Sequence, residues 1–319
     1  MYDIIIIGAG PIGLACAIEA KKQGYNVLIL EKGLLVNSLY HFPTNMTFFS
    51  TSQLLEIGDV PFISHSDKPT RREALEYFRR VVQSWDLPIK LYEGVSGLHK
   101  EATGYRVETS KSHYTTRFVI VATGFYDTPN RLDVPGENLP KVKHYYDEPH
   151  PYVQQNIAVI GAGNSAADVA LETYLKGSQV TMVIRESTLK SGVKYWIKPN
   201  IENRIKEGSI KAYFNSKVIA IRENEIDIQT PQGPVTLPND FVLAMTGYRP
   251  NYSFLRQLGL TINDDEDQAP YHDPNSFETN LDGVYLAGVV CGGLNTSKWF
   301  IENGREHAES IMASIIQKG

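Results

Sequence analysis

Ile4–Ile7 is a wholly apolar run, the pattern of a strand buried on both faces of a parallel sheet. Gly8-Ala9-Gly10-Pro11-Ile12-Gly13 follows, and Leu14, Ala17, Ile18 and Lys21 then recur at helical spacing up to Gly24. Val27–Leu30 predicts a second buried strand, ending at Glu31, which completes a βαβ unit. Residues 36–66 are rich in Phe, Pro, Thr and Ser and predict irregular chain. Thr70 and Glu73 have the spacing of a capping box and open a predicted helix through about Trp85. Short alternating runs at 89–92, 95–99, 105–109 and 115–121 predict strands and hairpins.

The pattern then repeats. Ile157–Ile160 is a second apolar run, Gly161-Ala162-Gly163-Asn164-Ser165-Ala166 follows it, a helix is predicted to about Lys176, and Val180–Ile184 predicts a strand ending at Arg185. Glu31 lies 23 residues beyond Gly8, and Arg185 lies 24 beyond Gly161. Two nucleotide-binding units in one chain predict an α/β fold with two Rossmann-like dinucleotide-binding domains. Residues 210–245 read as short strands, 263–276 as a polar, acidic surface loop and 296–316 as helix.

Length and charge narrow the function. A chain of 319 residues exceeds the usual single domain. A net charge of −5 gives no electrostatic case for nucleic acid or an anionic membrane surface. No apolar run reaches about 18 residues, so no membrane span is expected. Residues 2–13 already read as strand and turn where a signal peptide would sit, so none is expected. Two cysteines, Cys16 and Cys291, make no disulfide framework and point to the cytoplasm. No His-Glu-x-x-His, Cys-x-x-Cys or Gly-x-Ser-x-Gly is present, and no metal site is expected.

Each glycine of the first motif has its own reason. Gly8 permits the tight turn, Gly10 lets a pyrophosphate approach the backbone, and Gly13 lets helix and strand pack closely. The helix N-terminus offers free N–H groups and a partial positive charge. Glu31 suits both ribose hydroxyls and repels a 2′-phosphate, whereas Arg185 can pair with one, with Lys190 and Lys194 adding charge. The first site therefore reads as FAD or NAD(H), the second as NADPH.

A chain with one acid-ended and one basic-ended site resembles the two-dinucleotide-binding flavoproteins, in particular the thioredoxin-reductase branch. Val119-Ile120-Val121-Ala122-Thr123-Gly124 looks like the strand and turn that close its FAD domain, and Ala244-Met245-Thr246-Gly247-Tyr248-Arg249-Pro250 like the return from its NADPH domain. Gly283-Val284-Tyr285-Leu286-Ala287-Gly288 resembles the segment that reaches the flavin ribityl chain. The resemblance implies an FAD domain in two segments, 1–126 and 246–319, with an NADPH domain, 127–245, inserted between them. It implies FAD contacts at Gly8, Gly10, Pro11, Ile12, Gly13, Glu31, Lys32, Phe42, Thr44, Val95, Ala122, Thr123, Gly124, Gly288, Val289 and Thr296. NADPH contacts would be Gly161, Gly163, Asn164, Ser165, Ala166, Arg185, Lys190 and Gly247. A helix starting near Thr296 would aim its N-terminus at the flavin, and the smaller domain can rotate to bring the nicotinamide up.

Departures refine the resemblance. Between Pro135-Gly136-Glu137 and Gly161, where thioredoxin reductases carry Cys-x-x-Cys, no cysteine occurs, and Val289 stands where the family has a ribityl-binding Asp. The chain is therefore not a thioredoxin reductase, and FAD would be held at Val289 by backbone alone. The stretches Tyr40–Ser50, Ile57–Phe62, His144–Tyr146 and Phe300–Gly304 resemble the bacillithiol-disulfide-reductase-like (YpdA-type) flavoproteins. That implies a homodimer or homotetramer that takes a hydride from NADPH and reduces a low-molecular-weight thiol disulfide, or a small redox protein. Members carry Cys after the motif's proline; here Ile12 stands there, and Cys16 lies one turn deeper. Cys16 reads first as a small buried hydrophobe, and Cys291 either as core or as a partly exposed redox thiol near the flavin. His144, Tyr145 and Tyr146 are either cleft or packing residues. A ferredoxin/flavodoxin–NADP reductase competes as a second class. A flavin monooxygenase is third; its Phe-x-Gly-x-x-x-His is missing, since Gly136 and His144 are eight residues apart where four are needed.

Overall fold

The structure, a computed structural model, describes residues 1–319. The chain divides into two compact units: Met1–His41, Met46–Thr128 and Tyr248–Gly319 form the first, Phe42–Asn45 and Pro129–Gly247 the second. The strip Phe42–Asn45 was expected in the first. It joins the second because the Thr44 N–H and hydroxyl both donate to Asp147, at 2.8 and 2.6 Å, and Asn45 donates to Glu172 at 2.7 Å.

The first unit opens with β1 (Tyr2–Ile7), α1 (Pro11–Lys22) and β2 (Val27–Leu30). A short α2 (Asn37–Tyr40) interrupts the irregular stretch. Next come α3 (Arg71–Trp85), β3 (Ile89–Lys90), β4 (Val95–Glu101), β5 (Gly104–Thr109) and β6 (His113–Val121). The capping box forms: Glu73 N–H donates to the Thr70 hydroxyl at 3.3 Å, and Thr70 N–H to the Glu73 carboxylate at 2.8 Å.

The second unit holds β7 (Val142–Lys143), β8 (Asn156–Ile160), α4 (Asn164–Leu175), β9 (Gln179–Val183), α5 (Lys198–Lys206) and β10 (Lys211–Tyr213). It ends with β11 (Lys217–Ile221), β12 (Glu225–Thr230), β13 (Gly233–Pro238) and β14 (Phe241–Ala244). The chain returns to the first unit as α6 (Tyr252–Gln257), β15 (Val284–Leu286), α7 (Ile301–Gly304) and α8 (His307–Lys318). The helix expected from Thr296 thus starts at Ile301, because residues 293–300 are still turning.

The two sheets repeat one plan. In the first, β3-β2-β1-β6 run in order, β15 pairs the second half of β6 in parallel, and the β4–β5 hairpin pairs its first half antiparallel. In the second, β10-β9-β8-β14-β7 form a wholly parallel sheet, and β11-β12-β13 a separate antiparallel meander. The outermost parallel strand comes late in the chain in one unit and early in the other. Ile4, Ile5 and Ile6 are fully buried, as strands covered on both faces must be. α1 lies on this sheet with Leu14, Cys16, Ala17, Ile18 and Ala20 fully buried; its small residues allow close approach.

Candidate active site

Both glycine-rich turns sit between the carboxyl end of the central strand and a helix N-terminus, the place where open α/β sheets bind ligands. At Gly8, φ is +112°, and a side-chain carbon there would stand 2.6 Å from the Ala122 carbonyl. At Gly13 it would stand 2.0 Å from the Gly8 carbonyl oxygen. At Gly10 no atom lies within 4 Å of that position. Two of the glycines are thus required by the fold. The third leaves open space at the start of α1, where unpaired N–H groups can meet a phosphate. The Glu31 carboxylate, 6% exposed, braces the turn by accepting from Ala9 N at 2.9 Å and Gly33 N at 2.8 Å.

The second turn copies these features. Gly161 has φ +135°, and a side-chain carbon there would stand 2.4 Å from the Met245 carbonyl; Ala166 is fully buried in place of the third glycine, and the position at Gly163 is again open. The turns differ beyond the second strand. Ile7 pairs with Leu30 and Ile160 with Val183, so the counterpart of Glu31 is Ile184, which is fully buried. Arg185, expected to be the counterpart of Glu31, is one residue further out and matches Lys32, in line with its offset of 24 residues against 23. Lys32 pairs with Asp127 at 2.7 Å, while Arg185 and Lys190 are exposed. Lys194 adds no free charge, because its ammonium pairs with Asp168 at 2.8 Å. Its N–H donates to the Asn164 side chain at 2.8 Å, and Lys190 N–H donates to the Ala162 carbonyl at 3.0 Å, so the loop after β9 is tied to the turn.

Around the first turn the distant segments converge. Ala122 N–H donates to the Ile7 carbonyl at 2.9 Å, and Ala287 N–H to the Val121 carbonyl at 3.0 Å. A side-chain carbon at Gly288 would stand 2.9 Å from the Ile12 side chain, and one at Gly124 3.8 Å from Val289. Gly8, Ile12, Ala122–Gly124 and Gly288–Val289 are therefore brought together. Val95 opens β4, and Thr296 lies in the turn before α7.

This paired arrangement was compared with known proteins. A family model described as pyridine nucleotide-disulphide oxidoreductase matches residues 5–288. The chain belongs to the pyridine nucleotide-disulphide oxidoreductase family. A protein named bacilliredoxin reductase Bdr, from Bacillus subtilis, is 44% identical over 98% of this chain and 97% of its own. The bacillithiol disulfide reductase Bdr (YpdA) from Staphylococcus aureus superposes with a TM-score of 0.97 at 42% identity, covering 99% of this chain and 98% of that one. The T. acidophilum thioredoxin reductase, at 21% identity and a TM-score of 0.77 over 99% of both chains, shares the fold. The chain is a flavin-dependent oxidoreductase with FAD and NAD(P)H as its cofactors.

In a disulphide oxidoreductase the thiols are the first groups to test for reactivity. Both are free and both are buried, Cys16 at 0% and Cys291 at 1% exposure. Burial pushes the Cys16 thiol up to about 12, with Glu19 adding to it. Cys291 is pushed up further, first by burial and then by Cys16 nearby. Of the two readings of Cys291 the buried one holds, because the 3-10 turn Gly288–Gly292 tucks it inward. Its sulfur lies 3.9 Å from His307 Nδ1. That histidine is held down to about 4, mainly by burial, then by His272 and Lys298. Thiol up and imidazole down leave a neutral pair with no nucleophilic thiolate.

The other candidates lie in the second unit. His144 Nε2 lies 3.2 Å from the Glu137 carboxylate, which accepts from Leu132 N and Asp133 N. Tyr146 is buried and donates to Glu172 at 2.9 Å, while Tyr145 is more exposed. Gly247, at φ +86°, lies on the return from β14 beside the Asn130 side chain. Sequence reasoning missed His307. It is 2% exposed, and its Nδ1 accepts from Gly288 N at 3.0 Å. A lone histidine opening a C-terminal helix carries no sequence signal. No helix is long and apolar enough to cross a membrane.

Proposed function

We propose that the first unit binds FAD, that the second binds NADPH, and that the enzyme reduces a low-molecular-weight thiol disulfide without a protein dithiol. The carrying observation is the pair of turns in which Gly10 and Gly163 alone leave open space ahead of a helix N-terminus. The residues fit a pyrophosphate at each. FAD, when bound, accepts a hydride from the nicotinamide and passes two electrons to a disulfide.

The chain's own residues bind and orient. The α1 N-terminus meets the FAD pyrophosphate, and Glu31, already fixed by Ala9 N and Gly33 N, keeps lone pairs for the adenosine ribose. Gly124, Gly288 and Val289 line the ribityl side. In the second unit the α4 N-terminus meets the NADPH pyrophosphate, and exposed Arg185 and Lys190 select the 2′-phosphate. Neither cysteine takes part as a thiolate, so the acceptor meets the flavin directly.

The acceptor is argued from likeness. The similar proteins are named for bacillithiol disulfide and for bacilliredoxin, a small disulfide and a small redox protein. Two free thiols support a cytoplasmic setting, and a homo-oligomer is the proposed assembly.

Purified yellow protein should bleach anaerobically with NADPH far faster than with NADH. Bacillithiol disulfide should then restore the oxidised spectrum faster than ferredoxin or oxygen. Equal rates with both nucleotides, or reoxidation by ferredoxin alone, would overturn the proposal.

A further inference from the structure

We propose that His307 is a positioning residue for the flavin: by accepting the Gly288 N–H it fixes the Ala287–Val289 turn against which FAD is held. The inference rests on the proposed FAD site of the first unit.

Gly288 follows β15 with φ +81°; a side-chain carbon there would stand 2.9 Å from the Ile12 side chain, and one at Gly304 would stand 3.5 Å from the Gly288 α-carbon, so the turn has no room to shift. Ile12 belongs to the first turn of α1, whose N–H groups would meet the pyrophosphate. A shift of Gly288 therefore disturbs two parts of the site at once. The turn has no polar side chain of its own, because Val289 stands at the position of the family's aspartate. Its orientation must be set from behind.

His307 does this from the first residue of α8. Its ring stacks on Phe277 with centroids 3.9 Å apart and planes 20° apart, and Trp299 meets it edge-on at 4.3 Å. Phe277 is itself stacked against His272, with centroids 5.7 Å apart. This packing fixes the ring plane, so Nδ1 points at Gly288 N at 3.0 Å. A ring nitrogen that accepts from an N–H carries no proton, so the ring is the neutral Nε2–H tautomer. Burial and the charges of His272 and Lys298 keep it so. The bond is buried, so without an acceptor the Gly288 N–H is stranded away from water.

The test is FAD binding to deflavinated protein, with the visible circular dichroism of the bound flavin as a second readout. His307→Phe keeps the stack and removes the acceptor; His307→Asn returns an oxygen near the place of Nδ1. The Phe variant should bind FAD about tenfold or more weakly and change the flavin's dichroism. The Asn variant should recover both to within about threefold. Wild-type affinity and dichroism in the Phe variant, or an Asn variant as impaired as Phe, would overturn the inference. If the Phe variant does not fold, amide hydrogen exchange at Gly288 in the unmutated holoprotein decides: slow exchange supports the bond and fast exchange refutes it. A wild-type protein that binds no FAD removes the proposed site and this inference together. FAD bound equally by wild type and Phe removes the inference alone.

Discussion

Replacing Gly10 and Gly13 by alanine, one at a time, separates what the fold requires from what the ligand requires. At Gly13 the added methyl would stand 2.0 Å from the Gly8 carbonyl oxygen, more than 1 Å inside any real contact. Backbone must move at both residues, so Gly13→Ala should destabilise even the ligand-free protein, by about 3 kcal/mol. At Gly10 the methyl meets nothing within 4 Å, and the residue sits at φ −76°, ψ 173°, which alanine adopts freely. Gly10→Ala should therefore leave the deflavinated protein as stable as before, or more stable by about 0.4–1 kcal/mol through the unfolded chain. The same methyl occupies the space a pyrophosphate needs. Pushing the phosphates off the α1 N–H groups forfeits charge-assisted hydrogen bonds worth about 1.5–3 kcal/mol each, so FAD should bind at least about tenfold more weakly. Denaturant unfolding of both deflavinated variants, together with fluorescence titration by FAD, measures the two quantities separately. Wild-type FAD affinity in Gly10→Ala would refute the placement of the pyrophosphate. Equal destabilisation by both variants would refute the distinction between fold-required and ligand-required glycine.

Gly163→Ala should likewise raise the KM for NADPH at least about tenfold while FAD content stays unchanged, measured by steady-state kinetics and the flavin absorbance ratio. Arg185→Ser should raise the KM for NADPH about tenfold to a hundredfold and leave that for NADH nearly unchanged; parallel changes would exclude a 2′-phosphate contact. Native protein at pH 8 should show almost no thiol reactive towards an aromatic disulfide reagent, and both thiols after unfolding. Cys16 is neutral up to about 12 when folded but ionises near 9.0 when unfolded, so the stability it contributes is intact below pH 9.0 and falls as pH climbs from there. His307 has the opposite sign: an unfolded histidine takes its proton near 6.5 and the folded one only near 4, so its contribution is present above 6.5 and drains away as pH falls towards 4. His307→Asn should flatten that limb of the stability curve, read by thermal melts from pH 4 to 7. Thr70→Ala should cost about 1 kcal/mol through the lost capping box, read as a lower Tm.

Both βαβ units were legible in the chain because their determinants are local. An apolar run, a turn that tolerates only glycine at Gly8 and Gly161, and helical spacing after it are all set within about thirty residues. The duplicated plan and the family followed from those signals and their order. The contrast between Glu31 and Arg185 was legible too, but its geometry was not. The pairing of β8 with β9 sets buried Ile184 as the counterpart of Glu31 and carries Arg185 one place out, exposed beyond the end of the strand. Only tertiary contacts carried Phe42–Asn45 to the second unit, through Asp147 and Glu172, over a hundred residues away. They also turned Cys291 inward and aimed His307 at Gly288, because burial and hydrogen-bond partners belong to the packed chain and leave no period in the sequence. Sequence alone marked the two turns at which dinucleotide binding is proposed; the folded packing buried both thiols and set a histidine, unmarked by any motif, behind the Gly288 turn.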